Sequence, residues 1–202
     1  MLHFNLSLLL CGLALLMGTV VGHAPVKRDD NLPARVPYVF PAPGTDSVRR
    51  FKPIVTRSSH IKVTSSLQDE GLAAGWNALA TVVRDNNSLP APMRELFHEP
   101  VGREVGLTLE QLLEIRLTPA FLSPLTPKTS LTPELSAALL LADFMTNAVK
   151  VPQPVFDGLH KFLDDKQMVD AVATVGTYNL VSRFVLALDV DSKADVPVPL
   201  PE

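Results

Sequence analysis

Cysteine is almost absent from this chain, because its 202 residues include one, Cys11. Cys11 lies in an apolar run near the amino terminus, and residues 1–22 have the layout of a cleaved signal peptide. A mature chain without cysteine has neither a disulfide nor a thiolate. This excludes thiol peroxidase chemistry and cysteine-based metal sites, and it leaves packing alone to stabilise the fold.

An excess of positive charge is also lacking, since the formal net charge is -3. No cluster of lysine and arginine interleaved with aromatic residues is present, so we do not expect nucleic acid as a partner. The sequence has no glycine-rich phosphate loop, no Gly-x-Ser-x-Gly motif and no ligand spacing for a metal. We therefore expect no cofactor and no bound metal.

The apolar run within residues 1–22 is short for a bilayer and is interrupted by polar residues. We expect secretion after its removal, with no stable membrane insertion of the mature chain. The alternative is a membrane-anchored protein held by the same segment. A proline-rich arm (23–64) follows, and its Lys27-Arg28 pair is a candidate processing site.

From residue 65 onwards, apolar side chains recur at helical spacing, and no stretch has the alternation of a strand. Capping boxes or proline starts stand at Thr108 and Thr132, and the acids Asp164 and Asp165 suit a helix amino terminus. The predicted helices cover 67–84, 109–117, 133–149, 152–163 and 166–188. We therefore predict an all-α domain of five or six helices over 65–190, followed by an extended proline-rich tail (191–202).

The segment 166–188 is apolar on more than one face, which predicts a central helix. Its string DDKQMVDAVATVGTYNLVSRFVLALDV places a glycine, a Tyr-Asn pair and a Ser-Arg pair in a characteristic order, at Gly176, Tyr178, Asn179, Ser182 and Arg183. This string resembles the carboxy-terminal signature of the carboxymuconolactone decarboxylase-like family, a branch of the AhpD-like superfamily. The resemblance continues more weakly upstream towards the first predicted helix.

The resemblance implies an AhpD-like helical fold, homo-oligomers, and decarboxylation of a small carboxylated lactone or an aromatic-derived metabolite. It implies His98 as the catalytic proton-transfer residue. The family glutamate, four residues before the histidine, would fall on Arg94, so the histidine loses this partner unless Glu95 or Glu99 replaces it. One long family helix is missing between Leu96 and His98.

Pro100 and Gly102 stand just beyond His98, and we expect them to end any helix there. A histidine on such a segment is poorly positioned for proton transfer. The sequence therefore suggests two functions of different class. The first is a decarboxylase-like enzyme of low or no activity, and the second is a catalytically degenerate, secreted helical protein with a binding or interaction role.

Two further residues are candidates for sites. Arg183 lies in the middle of a helix among apolar neighbours, where a buried charge needs a partner. That partner is either an anionic substrate or an acid such as Asp143. The triplet at 86–88 reads Asn-Asn-Ser, so Asn86 is a candidate N-glycosylation site on a predicted surface loop.

Overall fold

The computed structural model describes residues 35, 70–96, 99–122, 128–192 and 194–202. These parts of the chain contain seven α-helices and no strand, which confirms the predicted all-α class. The helices are α1 (Glu70–Asp85), α2 (Ala91–Arg94), α3 (Glu99–Glu104), α4 (Leu109–Leu117), α5 (Pro133–Asn147), α6 (Gln153–His160) and α7 (Asp165–Ala187). Outside the described residues lie the predicted signal segment with Cys11, the Lys27-Arg28 pair, the arm apart from Arg35, and His98.

Three helices begin at capping residues that were visible in the sequence. The Thr108 side chain accepts the Gln111 N–H at 3.2 Å, and the Gln111 side chain accepts the Thr108 N–H at 3.0 Å. Asp164 and Gln167 form the same reciprocal pair at the start of α7. Thr132 caps α5 through one such bond. Each cap satisfies backbone N–H groups that have no partner within the helix.

The segment around Pro100 departs from our prediction. We expected Pro100 and Gly102 to end any helix beyond His98, but both lie inside α3. Pro100 is in the first turn, where an N–H has no intrahelical acceptor to lose. A Cβ at Gly102 would meet Leu107 Cδ1 at 3.0 Å and the Glu95 carbonyl oxygen at 3.2 Å. Gly102 therefore permits a close approach between α3 and the residue that follows α2.

The hydrophobic core is centred on α5, which packs against α6 and α7. Leu139 and Ala142 of α5 have no exposed surface. Met168 and Ala171 are the residues of α7 that belong to the same buried cluster. The other members are Leu89, Met93, Leu96, Leu107, Leu112, Ile115, Leu131, Leu135, Ala138, Leu139, Leu141, Leu159 and Leu163. α7, the predicted central helix, thus contributes side chains to the core from one of its faces.

α1 packs against α7 in an antiparallel orientation. The Trp76 ring, in the first half of α1, lies 5.1 Å from the Phe184 ring near the end of α7, measured between centroids. Beyond the other end of α1, Asn87 Nδ2 donates to Thr174 Oγ1 at 2.9 Å. These two contacts fix both ends of the pair. Leu72 of α1 is 54% exposed.

The chain turns sharply after α7 and runs towards α3 and α4. Asp189, Asp191 and Ser192 adopt positive φ angles of 48°, 60° and 53°, a region that aspartate tolerates better than most residues. Asp189 Oδ1 accepts the Ala194 N–H at 3.0 Å and closes this turn. Residues 197–202 then continue without helix or strand.

Arg35 belongs to the predicted arm and lies at the carboxy-terminal end of α7. Its N–H donates to the Leu188 carbonyl at 2.6 Å, and its Nη1 donates to the Ala187 carbonyl at 2.9 Å. The last carbonyls of a helix lack intrahelical donors and carry partial negative charge. A cation placed there satisfies them, so Arg35 fixes one point of the arm to the end of α7.

Candidate functional site

Glu95, the predicted carboxylate partner of the catalytic histidine, is buried directly after α2, with 2% of its surface exposed. Its Oε1 lies 3.2 Å from Arg94 Nε, and its Oε2 lies 3.8 Å from Arg84 Nη2. A buried carboxylate is tolerated when cations compensate its charge, and removing one partner of such a group is costly. Since Arg84 belongs to α1 and Arg94 to α2, the Glu95 carboxylate holds these two helices together.

His98 lies outside the described residues, so its contact with Glu95 stays a prediction. The buried residues Leu96 and Val101 stand on either side of it in the chain. Arg94 occupies the position that the resemblance implies for the family glutamate, and its guanidinium is bound to Glu95. The described side chains around this position therefore form an ion-pair cluster within the fold.

Arg183, the predicted substrate-binding residue, is exposed on α7. Its Nη1 donates to Asn179 Oδ1 at 2.8 Å, and its Nη2 donates to the Thr146 carbonyl at 3.5 Å. Asp143, the acid predicted as an alternative partner, instead accepts the Phe121 N–H at 3.2 Å. An exposed guanidinium keeps its hydration, so its charge is tolerated without a buried counter-ion. Binding of an anion at Arg183 stays a prediction.

Asn86, the candidate glycosylation site, is exposed in the loop between α1 and α2. The next two residues are fastened to α7. Asn87 binds Thr174, while the N–H and the hydroxyl of Ser88 donate to Asp170 Oδ2 at 2.8 Å and 2.6 Å. Glycosylation of Asn86 stays a prediction, on a loop that is held at its other two sequon positions.

Asp170 accepts a third donor, the Lys166 ammonium, at 2.8 Å. The hydrogen bond from Lys166 and the two from Ser88 lower the pKa of Asp170 from its ordinary value of 3.8 to about 2. Asp170 is thus ionised except under strongly acidic conditions. An ionised carboxylate with this many donors acts as an anchor for the 86–88 loop.

Glu114 fastens a second loop in the same manner. Its Oε2 accepts the N–H and the hydroxyl of Ser130, both at 2.6 Å, and its Oε1 accepts the Thr129 hydroxyl. Burial raises the pKa of Glu114, but the hydrogen bonds from Ser130 and Thr129 outweigh burial, and the pKa is lowered. Glu114 of α4 therefore holds the segment that leads into α5.

One side of α7 is exposed over its length and is mostly apolar. Val169, Val172 and Leu180 are 67%, 41% and 46% exposed, and a Cβ at Gly176 would meet nothing within 4 Å. Asp165 and Arg183 belong to the same side, because steps of three and four residues follow one face of a helix. We call this surface the α7 face, and its residues are Asp165, Val169, Val172, Gly176, Leu180 and Arg183.

Exposed apolar side chains of α1 extend this surface. Leu72 and Leu79 are exposed. Since α1 is antiparallel to α7 and turns Trp76 towards Phe184, the helical phase places both leucines on the flank beside the α7 face. Two neighbouring helices therefore present apolar side chains in one direction.

Neither a metal site nor a membrane span is found within the described ranges. No group of three or more His, Cys, Asp or Glu side chains there could hold a metal ion. His160 Nε2 does lie 2.9 Å from Asp165 Oδ1, but this pair is at the surface. No helix in the described part of the chain is both long and apolar enough to cross a bilayer.

Comparison of the chain with protein-family models, with curated proteins and with solved structures found no match. The resemblance to the carboxymuconolactone decarboxylase-like family therefore stays a prediction from the sequence motif. Within the motif, Asn179 and Ser182 are buried. Asn179 Nδ2 donates to Thr146 Oγ1 at 3.1 Å, and the Ser182 hydroxyl donates to the Asn179 carbonyl at 3.0 Å. The Asn179 bond joins α7 to α5, whereas the Ser182 bond lies within α7.

Our sequence interpretation missed the anchoring role of Asp170 and the continuity of the α7 face. The pairing of Lys166 with Asp170, four residues apart on one helix, was a readable signal for the first. The continuity of the α7 face could not be predicted, because apolar residues occur on several sides of α7. Sequence periodicity shows that a helix has an apolar face, but it does not show which face a neighbour covers.

Proposed function

We propose that this chain is a non-catalytic helical protein that acts by binding, and that its α7 face binds a second copy of the chain. The exposure of Val169, Val172 and Leu180 along one side of α7 carries the proposal. Contiguous apolar surface that stays in contact with water is unfavourable, and on natural proteins it marks interaction sites. The flank of α1 with Leu72 and Leu79 widens the same surface.

The α7 face is complementary to itself, which selects a second copy as its occupant. When two α7 helices pack antiparallel with Gly176 at the crossing, Leu180 of one copy faces Val172 of the other. Arg183 then faces Val169, and Asp165 lies one helical turn further along. The Asp165 side chain is 97% exposed, so it is within reach of the opposite guanidinium. A two-fold axis repeats each of these contacts.

The contacts of Glu95 support the non-catalytic part of the proposal. General acid–base catalysis needs a group that can exchange a proton with the substrate in a fixed geometry. Glu95 is instead buried between Arg84 and Arg94, and its carbonyl oxygen lies against Gly102. The candidate carboxylate three residues before His98 thus already serves the packing of the fold.

Sedimentation equilibrium of the full chain tests the binding surface. We expect a dimer, and we expect Leu180→Asp to be monomeric, because it places a charge at the centre of the paired faces. Leu117→Asp is the matched control, since Leu117 is exposed by 63% on α4 and lies outside the face. A monomeric parent chain, or a dimer that persists in Leu180→Asp, would contradict the proposal.

A charge exchange tests the orientation of the two copies. Arg183→Glu and Asp165→Lys should each weaken the dimer, and the double variant should regain affinity because the opposite charges face each other again. Asp165 also contacts His160, so His160→Ala is the control for loss of that pair. If the double variant is weaker than either single variant, the antiparallel arrangement is wrong.

An assay of decarboxylation separates the two functions that the sequence suggests. With 4-carboxymuconolactone as substrate, we expect the full chain to show no turnover above the uncatalysed rate. Turnover that disappears in His98→Ala would instead support the decarboxylase-like enzyme, whatever the oligomeric state.

A further inference from the structure

The carboxy-terminal tail is bound by two arginines through its main-chain oxygens. Arg116 Nη2, on α4, donates to the Val198 carbonyl at 2.8 Å and to the Pro199 carbonyl at 3.3 Å. Arg103 Nη2, on α3, donates to the main-chain oxygen of Glu202. Two cationic side chains on neighbouring helices thus hold positions along one extended segment.

One side of the tail is turned towards the fold, and its other positions are exposed to solvent. Pro201 is buried and Val198 is half-buried, whereas Val196 and Leu200 are 50% and 53% exposed. Val198 and Pro201 are three residues apart, which is one turn of a polyproline II helix. The surface of α3 and α4 therefore contacts one side of the tail.

The chemistry of the two arginines matches a segment of alternating prolines. Proline has no backbone N–H, so the prolines at 197, 199 and 201 leave carbonyl oxygens as the main polar groups of the tail. A guanidinium has donors and no acceptor. Proline also restricts the unbound chain, so less conformational entropy is lost on binding.

We propose that the surface of α3 and α4 around Arg103 and Arg116 is a binding site for extended peptides with alternating prolines, and that residues 196–202 occupy it within the same chain. A peptide from another molecule binds by replacing this tail. The site uses other helices than the α7 face and does not depend on self-association.

The tail competes strongly because it is attached. Tethering gives a segment an effective concentration in the millimolar range. An added peptide therefore binds weakly to the unaltered chain and more tightly when the tail is released. This difference, rather than binding alone, is the signature of a site that is filled from within the chain.

Fluorescence anisotropy with a labelled peptide of residues 195–202 (Asp-Val-Pro-Val-Pro-Leu-Pro-Glu) tests the proposal. In a full chain carrying Val198→Asp and Pro201→Asp, the tail loses its inward contacts while both arginines remain. We expect this variant to bind the peptide about 10-fold tighter or more than the unaltered chain. Adding Arg116→Ala should abolish the gain.

The matched control carries Val196→Asp and Leu200→Asp, which add the same charges to the exposed side of the tail. It should bind the peptide as weakly as the unaltered chain. Equal peptide affinity in the inward and outward variants, with helix content unchanged by circular dichroism, would overturn the proposal. A gain in peptide affinity that survives Arg116→Ala would overturn it as well.

A second measurement covers the case in which the inward variant does not fold. A chain with Cys11→Ser and Leu200→Cys carries a dye on the exposed side of its own tail. Added unlabelled peptide should increase the mobility of the dye in a saturable manner, and a peptide of the same composition with its prolines adjacent should not. A dye whose mobility is unaffected by millimolar peptide would contradict exchange at this site.

Discussion

The two halves of α7 differ in what they contribute to the main hydrophobic core. The first half places Met168 and Ala171 in that core and also buries Thr174, which accepts a hydrogen bond from Asn87. The second half buries Asn179 and Ser182, which are polar and hydrogen-bonded to α5 or within α7. It also places the Phe184 ring against Trp76 of α1. Burial in the hydrophobic core thus holds the first half of α7. Hydrogen bonds and one aromatic contact hold its second half.

The two halves therefore contribute differently to the stability of the fold and to the orientation of α7. Burial of apolar surface is favourable but not directional, whereas a buried amide restricts its neighbours to arrangements that satisfy its hydrogen bonds. We therefore expect the first half to dominate the free energy of unfolding and the second half to set how α7 lies against α5.

Met168→Ala tests the dominance of the first half. Met168 is 3% exposed in the core, and truncating such a side chain costs about 2–5 kcal/mol of stability. Leu117→Ala, at a 63% exposed position outside the α7 face, is the control and should change stability by about 0.5 kcal/mol or less. Urea unfolding of both variants provides the measurement. Equal midpoints for the two variants would show that the first half does not carry the core.

Asp170→Asn tests how the first half holds the 86–88 loop. The pKa of Asp170 is lower in the folded chain, at about 2, than its ordinary value of 3.8. Its carboxylate therefore stabilises the fold above about pH 4, and this contribution is lost as the pH falls towards 2. Stability of the Asn variant should fall less steeply over that interval, as measured by thermal unfolding. Asp85→Asn, at an exposed position of α1, should keep the slope of the parent chain.

Phe184→Leu tests the second half and should have the smallest effect of the three. The substitution keeps an apolar side chain but removes the aromatic contact with Trp76, worth about 0.5–1.5 kcal/mol. Trp76 is the single tryptophan of the chain, so its fluorescence reports this contact directly. We expect a shift in emission with a small change in stability. A loss of stability as large as that of Met168→Ala would remove the distinction between the halves.

Local signals predicted much of the fold. Thr108 and Asp164 are each followed by a glutamine three residues later, and Thr132 is followed directly by a proline. Helices begin at all three places in the structure. Such signals act within four residues, so the sequence contains them in full. The all-α class followed from apolar spacing for the same reason.

Contacts between distant segments could not be predicted in this way. Glu95 was a candidate for catalysis because it precedes His98 closely, but its partner Arg84 comes from another helix. Arg183 was placed among apolar neighbours by its sequence, yet it lies on the exposed side of α7. Gly102 was interpreted as a helix breaker, whereas in the structure its lack of a side chain allows Glu95 to approach α3 closely. Each outcome depends on which elements meet in space.

The bonds of Ser88 have a consequence for the order of events during synthesis. A sequon is recognised through its hydroxyl residue as well as its asparagine, and in the folded chain the Ser88 hydroxyl is bound to Asp170, 82 residues later. If Asn86 receives a glycan, the transfer must precede this contact. At about 5–20 residues per second, the ribosome needs roughly 4–16 seconds to add those residues. Glycan occupancy at Asn86 would therefore depend on whether glycan transfer is faster than the synthesis and docking of α7.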